Sequence, residues 1–107
     1  MKGLPIAVSS TARTPSLPDV PAVAETLPQF EATSWYGVFA PAATPQETVA
    51  QLNAEMGRIV RAPDMRERLA REGTEAVGGT PEEFAAFFKA SSAKWARVIK
   101  DANIKLD

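Results

Sequence analysis

The sequence predicts an α/β protein with the element order β-α-β-α-α-β-α. Short apolar runs rich in β-branched and aromatic residues stand at 4–10, 33–40 and 74–77. Two Thr-Pro-x-Glu segments, at 44–47 and 80–83, each precede a run of apolar residues at helical spacing. Alternation of such runs with helical segments is the pattern of mostly parallel strands covered by helices.

The elements follow in order. Leu4 to Ser10 (LPIAVSS) is an apolar run ending in two serines, a buried strand in this reading, followed by a polar loop over Thr11 to Ser16. Leu17-Pro18-Asp19-Val20-Pro21 holds two prolines, each fixing φ and removing a donor, and reads as a rigid turn. Pro21 suits the start of a short helix over Ala22 to Thr26, which Pro28 terminates. Thr33 to Ala40 (TSWYGVFA) reads as a second strand.

From residue 44 the chain is helical. Thr44-Pro45-Gln46-Glu47 has the spacing of a capping box, in which a hydroxyl accepts from the third N–H and a carboxylate reaches back. Val49, Leu52, Met56 and Ile59 follow helical spacing to about Arg61. Pro63 starts the next helix, with Met65 and Leu69 inward and Gly73 as its stop. Thr74 to Val77 reads as a short strand. Thr80-Pro81-Glu82-Glu83 repeats the cap, and the last helix puts Phe84, Phe87, Phe88, Ser91, Trp95, Val98 and Ile99 on one stripe before fraying near Asn103. Three strands make a thin sheet. The aromatic stripe is larger than the surface such a sheet offers.

Composition narrows the chemistry. Of 107 residues, 45% are hydrophobic and 23% charged, which suits one folded domain and not a disordered polyelectrolyte. Twelve basic residues face 13 acidic ones, for a net charge of -1, so the excess that tracks a phosphate backbone is missing and no nucleic-acid partner is expected. There is neither cysteine nor histidine. Thiolate nucleophiles, disulfides, sulfur-ligated metals, and the commonest general base and zinc ligand are all excluded. Neither catalytic residues nor a metal or cofactor site is assigned. No stretch approaches the roughly 18–20 apolar residues of a membrane span. Met1 to Ser10 has neither the apolar length nor the cleavage site of a signal peptide.

The run Leu17 to Glu25, then Phe30-Glu31, then Ser34-Trp35-Tyr36-Gly37-Val38-Phe39-Ala40-Pro41-Ala42 resembles the tripartite tricarboxylate transporter receptor family, also called Bug solute-binding proteins. The likeness continues through Thr44-Pro45, Leu52-Asn53-Ala54-Glu55, Arg66 to Ala70, Gly73, Val77 to Phe84, Trp95 and Ile99 to Ala102. It covers nearly the whole chain, in order. The resemblance implies the C-terminal portion of a two-lobed, type II periplasmic-binding-protein-like fold, about the last third of a family member. It places 1–32 as a remnant of the second lobe, 33–43 as the inter-lobe crossing strand and loop, and 44–107 as a helical return to the first lobe. It implies a periplasmic receptor, though this chain shows no signal peptide, with a small carboxylate as ligand and membrane transporter subunits as partners. Two departures stand out. Ala22 occupies a position where the family usually has threonine, and Glu25-Thr26-Leu27-Pro28 is one residue shorter than the usual form and lacks its glycine.

Ser9, Ser10, Ser34, Trp35, Tyr36 and Gly37 are the candidate ligand-binding residues. Ser34 to Gly37 fall where the family chain crosses between lobes, and an aromatic wall with a close backbone approach would line a pocket there. The plainer alternative is hinge packing. Ser9 and Ser10 end a strand, where α/β crevices form, and the alternative is that each serine closes a turn. Asp19 reads as a turn or helix cap, and Glu47, Glu82 and Glu83 as capping carboxylates and not an acid/base cluster. The face carrying Phe84, Phe87, Phe88 and Trp95 is core if another body covers it, and a homo-oligomer contact if none does. Two functions follow: a receptor portion that captures small carboxylates but binds them poorly as 107 residues alone, or a stand-alone homo-oligomeric module derived from that receptor.

Overall fold

The computed structural model describes residues 3–106, so the parts of the expected segments that fall on residues 1, 2 and 107 lie outside it. Its elements are a 3-10 helix, Val23–Glu25, and three α-helices, α1 (Gln46–Arg61), α2 (Pro63–Arg71) and α3 (Pro81–Asp101). The chain divides into two compact units, Met1–Phe39 and Ala40–Asp107.

In the second unit each helix boundary has a local cause. Ala62, at φ -62° and ψ 139°, is extended because the ring of Pro63 crowds an α conformation in the residue before it. That one residue separates α1 from α2, and its carbonyl accepts the Arg66 N–H at 2.9 Å. α2 ends in a paired closing motif: the Thr74 N–H reaches Leu69 O at 2.8 Å and the Gly73 N–H reaches Ala70 O at 3.0 Å. Gly73, at φ 70°, makes the left-handed step this motif requires. α3 closes in the same way with Asn103, at φ 54°, in place of glycine, and Ile104 bonded to Ile99 O at 3.0 Å. α1 packs against both α2 and α3. The Asn53 Nδ2 donates to Gly79 O at 3.0 Å, tying α1 to the turn that opens α3.

The two predicted caps part company. Thr80 Oγ1 accepts the Glu83 N–H at 3.0 Å, as expected. At α1 the residue before the helix is Pro45, no side chain caps it, and Thr44 stands one position too early. Glu47 and Glu82 remain in the first turns of their helices, where negative charge meets the positive end of the helix dipole.

The expected strands are corrected. Among the described residues no β-strand forms at Leu4 to Ser10, Thr33 to Ala40 or Thr74 to Val77, so the β-α-β-α-α-β-α order holds only for its helices. The expected short helix over Ala22 to Thr26 is the 3-10 turn Val23–Glu25. A β-rich composition favours extended backbone, but a strand also needs a neighbour for its N–H and C=O groups. Among the described residues the one bridge is parallel and isolated, between Val8 and Ala22.

Burial is correspondingly sparse. Among the described residues only Ala22, 2% exposed, and Gly57 are buried, and no large side chain is fully enclosed. Phe88 and Trp95 on α3 remain 42% and 38% exposed, and Ile99 48%. Along the apolar stripe of α3, Phe84 and Ser91 are half-buried while the others stay partly exposed.

Candidate functional site

All six candidate ligand-binding residues lie in the first unit. Its framework is the central segment around Val8. The Val8 N–H donates to Pro21 O and the Val23 N–H donates to Val8 O, both at 2.9 Å, which seats Ala22 beside Val8. On the next residue the Ala32 N–H donates to Ser9 O at 2.9 Å, and the Ser9 hydroxyl donates to Ala32 O at 2.6 Å. The segment around residue 8 is thus held between the segments around 22 and 32. This pairing brings Ser9 to within two residues of Ser34 along the facing segment.

Ser9 and Ser10 both spend their hydroxyl protons inside the chain, Ser9 on Ala32 O and Ser10 on Ala12 O at 2.8 Å. In this arrangement each can still accept a hydrogen bond, from bridging water for example, but neither donates outward. Ser34 is exposed, Trp35 is half-buried, and Tyr36 is 91% exposed with Gly37 exposed beside it. The aromatic pair therefore splits: Trp35 is partly covered while Tyr36 presents its whole ring to solvent.

The most developed polar arrangement in this unit is one that sequence spacing did not reveal. Arg13 lays its guanidinium along the Glu25 carboxylate, and its third nitrogen reaches Pro18 O at 3.3 Å. The same carboxylate accepts the Ala22 N–H at 2.7 Å. Glu25 thus closes the loop 13–25 at both ends, from the side-chain fork of Arg13 and from the start of the 3-10 turn. The hydrogen bond from Arg13, and after it that from the Ala22 amide, lowers the Glu25 pKa to about 2. Glu25 in turn pushes the Arg13 pKa up. The reach-back of Glu25 to residue 22 follows the capping spacing and was legible in principle. The position of Arg13 was not, because no local rule links residues that far apart.

Ala22 heads the 3-10 turn with a methyl group, so only the carboxylate half of a capping pair exists there. Leu27-Pro28-Gln29-Phe30 closes as a turn with the Phe30 N–H on Leu27 O at 3.1 Å. Gln29 sits at φ 72°, a conformation glycine adopts without steric cost. Asp19 lies near enough to Arg13 to add to its charge environment. Among the described residues no cluster of carboxylates suited to a metal ion occurs, and no helix is long and apolar enough to cross a membrane.

Residues 3–104 match the profile of the tripartite tricarboxylate transporter family receptor. A Pseudomonas protein from the tcbD-tcbE intergenic region is 44% identical over 96 residues, which is 88% of this chain and 29% of that protein. A Pseudomonas knackmussii protein from the clcB-clcD intergenic region is 31% identical over 96 residues, 88% of this chain and 57% of its own length. Protein BugT of Bordetella pertussis is 29% identical over 102 residues, 94% of this chain and 31% of BugT. The chain thus spans about three tenths of the first and third of these relatives. A match that runs almost from end to end of the described residues places the chain in the tripartite tricarboxylate transporter receptor family, a family of solute-binding receptors and not of enzymes.

Proposed function

We propose that these 107 residues serve as the C-terminal portion of a periplasmic receptor that captures a small carboxylate and hands it to the membrane subunits of a tripartite tricarboxylate-type transporter. The family match over residues 3–104 carries this reading. Within it, 1–32 belongs to the second lobe, 33–43 crosses between lobes, and 44–107 returns to the first. Ser9, Ser10, Ser34, Trp35, Tyr36 and Gly37 border the ligand, Tyr36 as an exposed aromatic surface and the serines through bridging water. Capture of this kind rests on oriented hydroxyl and amide groups, with no bond made or broken. The sparse core and the engaged Ser9 and Ser10 hydroxyls support a further point: the 107 residues alone bind carboxylates poorly.

Calorimetry tests this with two proteins, the 107-residue chain and a chimera in which it replaces the matched segment of the Pseudomonas relative. The chimera is expected to bind one of a panel of small di- and tricarboxylates, succinate and citrate among them, with the chain alone silent. Micromolar binding by the chain alone would overturn the dependence on a larger body. A folded chimera that binds none of the panel, while the parent relative does, would overturn the receptor role of this segment.

A second reading is favoured by one observation, the exposure of the aromatic stripe on α3. In that reading the chain is a self-associating module derived from the receptor.

A further inference from the structure

Resting on the first reading, that of a carboxylate receptor, we infer that the ligand is an aromatic carboxylate whose ring stacks on Tyr36 and whose charge faces away from the first unit. Tyr36 is 91% exposed, and Ser34 and Gly37 near it are exposed and small, so a flat group can approach the phenol ring. Val38, 70% exposed, adds an apolar edge. Aromatic rings prefer offset stacks or edge-to-face pairs with centroids about 4.5–7 Å apart, a preference that saturated groups of similar size do not share.

Charge decides which end of a ligand meets this surface. Residues 32–46 hold no charged side chain, and among the described residues of the first unit the single cation is Arg13. It stands against three carboxylates, Asp19, Glu25 and Glu31. All three nitrogens of the Arg13 guanidinium are engaged within its loop, two on Glu25 and one on Pro18 O. A carboxylate accepts hydrogen bonds and donates none, and the Ser9 and Ser10 hydroxyls have turned their protons inward. The hydroxyls of Ser34 and Tyr36 and the backbone amides are neutral donors, able to orient a ligand but not to balance its charge. Taking an anion out of water against a surface with one engaged cation and an excess of carboxylates is unfavourable. The charged end therefore turns to other parts of the receptor, and this unit meets the uncharged body of the ligand. The wall it offers that body is a tyrosine ring with small neighbours. Ring, space and the lack of a free cation agree on one class, a small aromatic acid with its carboxylates grouped on one edge.

Calorimetry on the chimera described above tests this with phthalate and cis-cyclohexane-1,2-dicarboxylate, probes of the same charge and similar size that differ in the flat ring, with succinate alongside. Phthalate is expected to bind about fivefold more tightly than its saturated counterpart. Tyr36→Leu should erase that ratio and Tyr36→Phe should keep it, with circular dichroism confirming that each variant folds. Equal affinity for the two ring compounds, or binding of succinate without phthalate, would overturn the aromatic preference and leave the receptor reading standing. A ratio that survives Tyr36→Leu would overturn the stacking on Tyr36. Binding of no carboxylate by a folded chimera whose parent binds one would remove the receptor reading and this inference with it.

Discussion

Arg13 and Glu25 form a two-point ion pair, Nε to Oε2 at 2.9 Å and Nη2 to Oε1 at 2.8 Å, and this pair closes the loop that leads from Ser10 to the 3-10 turn. Both side chains remain nearly half exposed. Surface pairs of this kind add little to stability when they stand alone. This one is different in geometry, since Glu25 also holds the Ala22 amide and Arg13 also reaches Pro18.

The pair has a pH signature. The Glu25 pKa falls from 4.5 to about 2 in the folded chain, so the folded form holds its proton more weakly than the unfolded form. The stabilisation is therefore complete above pH 4.5 and is lost as the pH falls through the folded value. Carboxyl resonances of Glu25 followed by NMR should move with a midpoint well below the ordinary glutamate value. Glu25→Gln should raise the exchange rate of the Ala22 amide at neutral pH, where the wild type is protected. A midpoint near 4.5 would show that the pair does not persist in solution.

The two Thr-Pro segments should respond differently to the same change. Thr80→Ala removes a hydroxyl that accepts the Glu83 N–H and should cost about 1 kcal/mol of helix stability. Thr44→Ala removes no cap and should cost well under half of that, because α1 begins after Pro45. Thermal melts of helicity for the two variants decide it, and equal losses would contradict the observed start of α1.

Gln29 is strained where the chain turns between Leu27 and Phe30. Its φ of 72° crowds the side chain against its own backbone. Gln29→Gly should stabilise the first unit by about 1 kcal/mol, a little reduced by the larger entropy glycine loses on folding. Urea unfolding followed through tryptophan fluorescence reads the shift, and a destabilised variant would refute the strain.

Gly57 tests the opposite case. It is buried in the interior of α1 because the Arg61 side chain lies over it, and an added methyl would meet Arg61 Nη1 at 2.8 Å. That neighbour is the far end of a flexible chain, which can swing aside into solvent. Gly57→Ala should therefore gain most of the roughly 1 kcal/mol that alanine holds over glycine in a helix. A lower melting temperature would mean that Arg61 is more firmly held than its exposed position implies.

The segments that carry the candidate residues were legible in the sequence, and the engagement of their hydroxyls was not. The runs that carry Ser9, Ser10 and Ser34 to Gly37 stand out in the sequence, and the Ser9–Ala32 bonds place two of them on facing segments. Which hydroxyl protons are already spent depends on carbonyls brought near by folding, and no spacing rule reports that. The Arg13–Glu25 pair was invisible for the same reason.

The helices of the second unit were determined by sequence alone, because their boundaries are set within a few residues. Pro63 excludes an α conformation at Ala62, Gly73 allows the left-handed exit from α2, and Thr80 supplies its own cap three residues before Glu83. The fate of the apolar runs at 4–10, 33–40 and 74–77 was decided only by tertiary structure. An extended segment becomes a strand when a neighbouring backbone about 5 Å away takes its hydrogen bonds in a continuing ladder, and among the described residues the pairing stops at the single bridge between Val8 and Ala22.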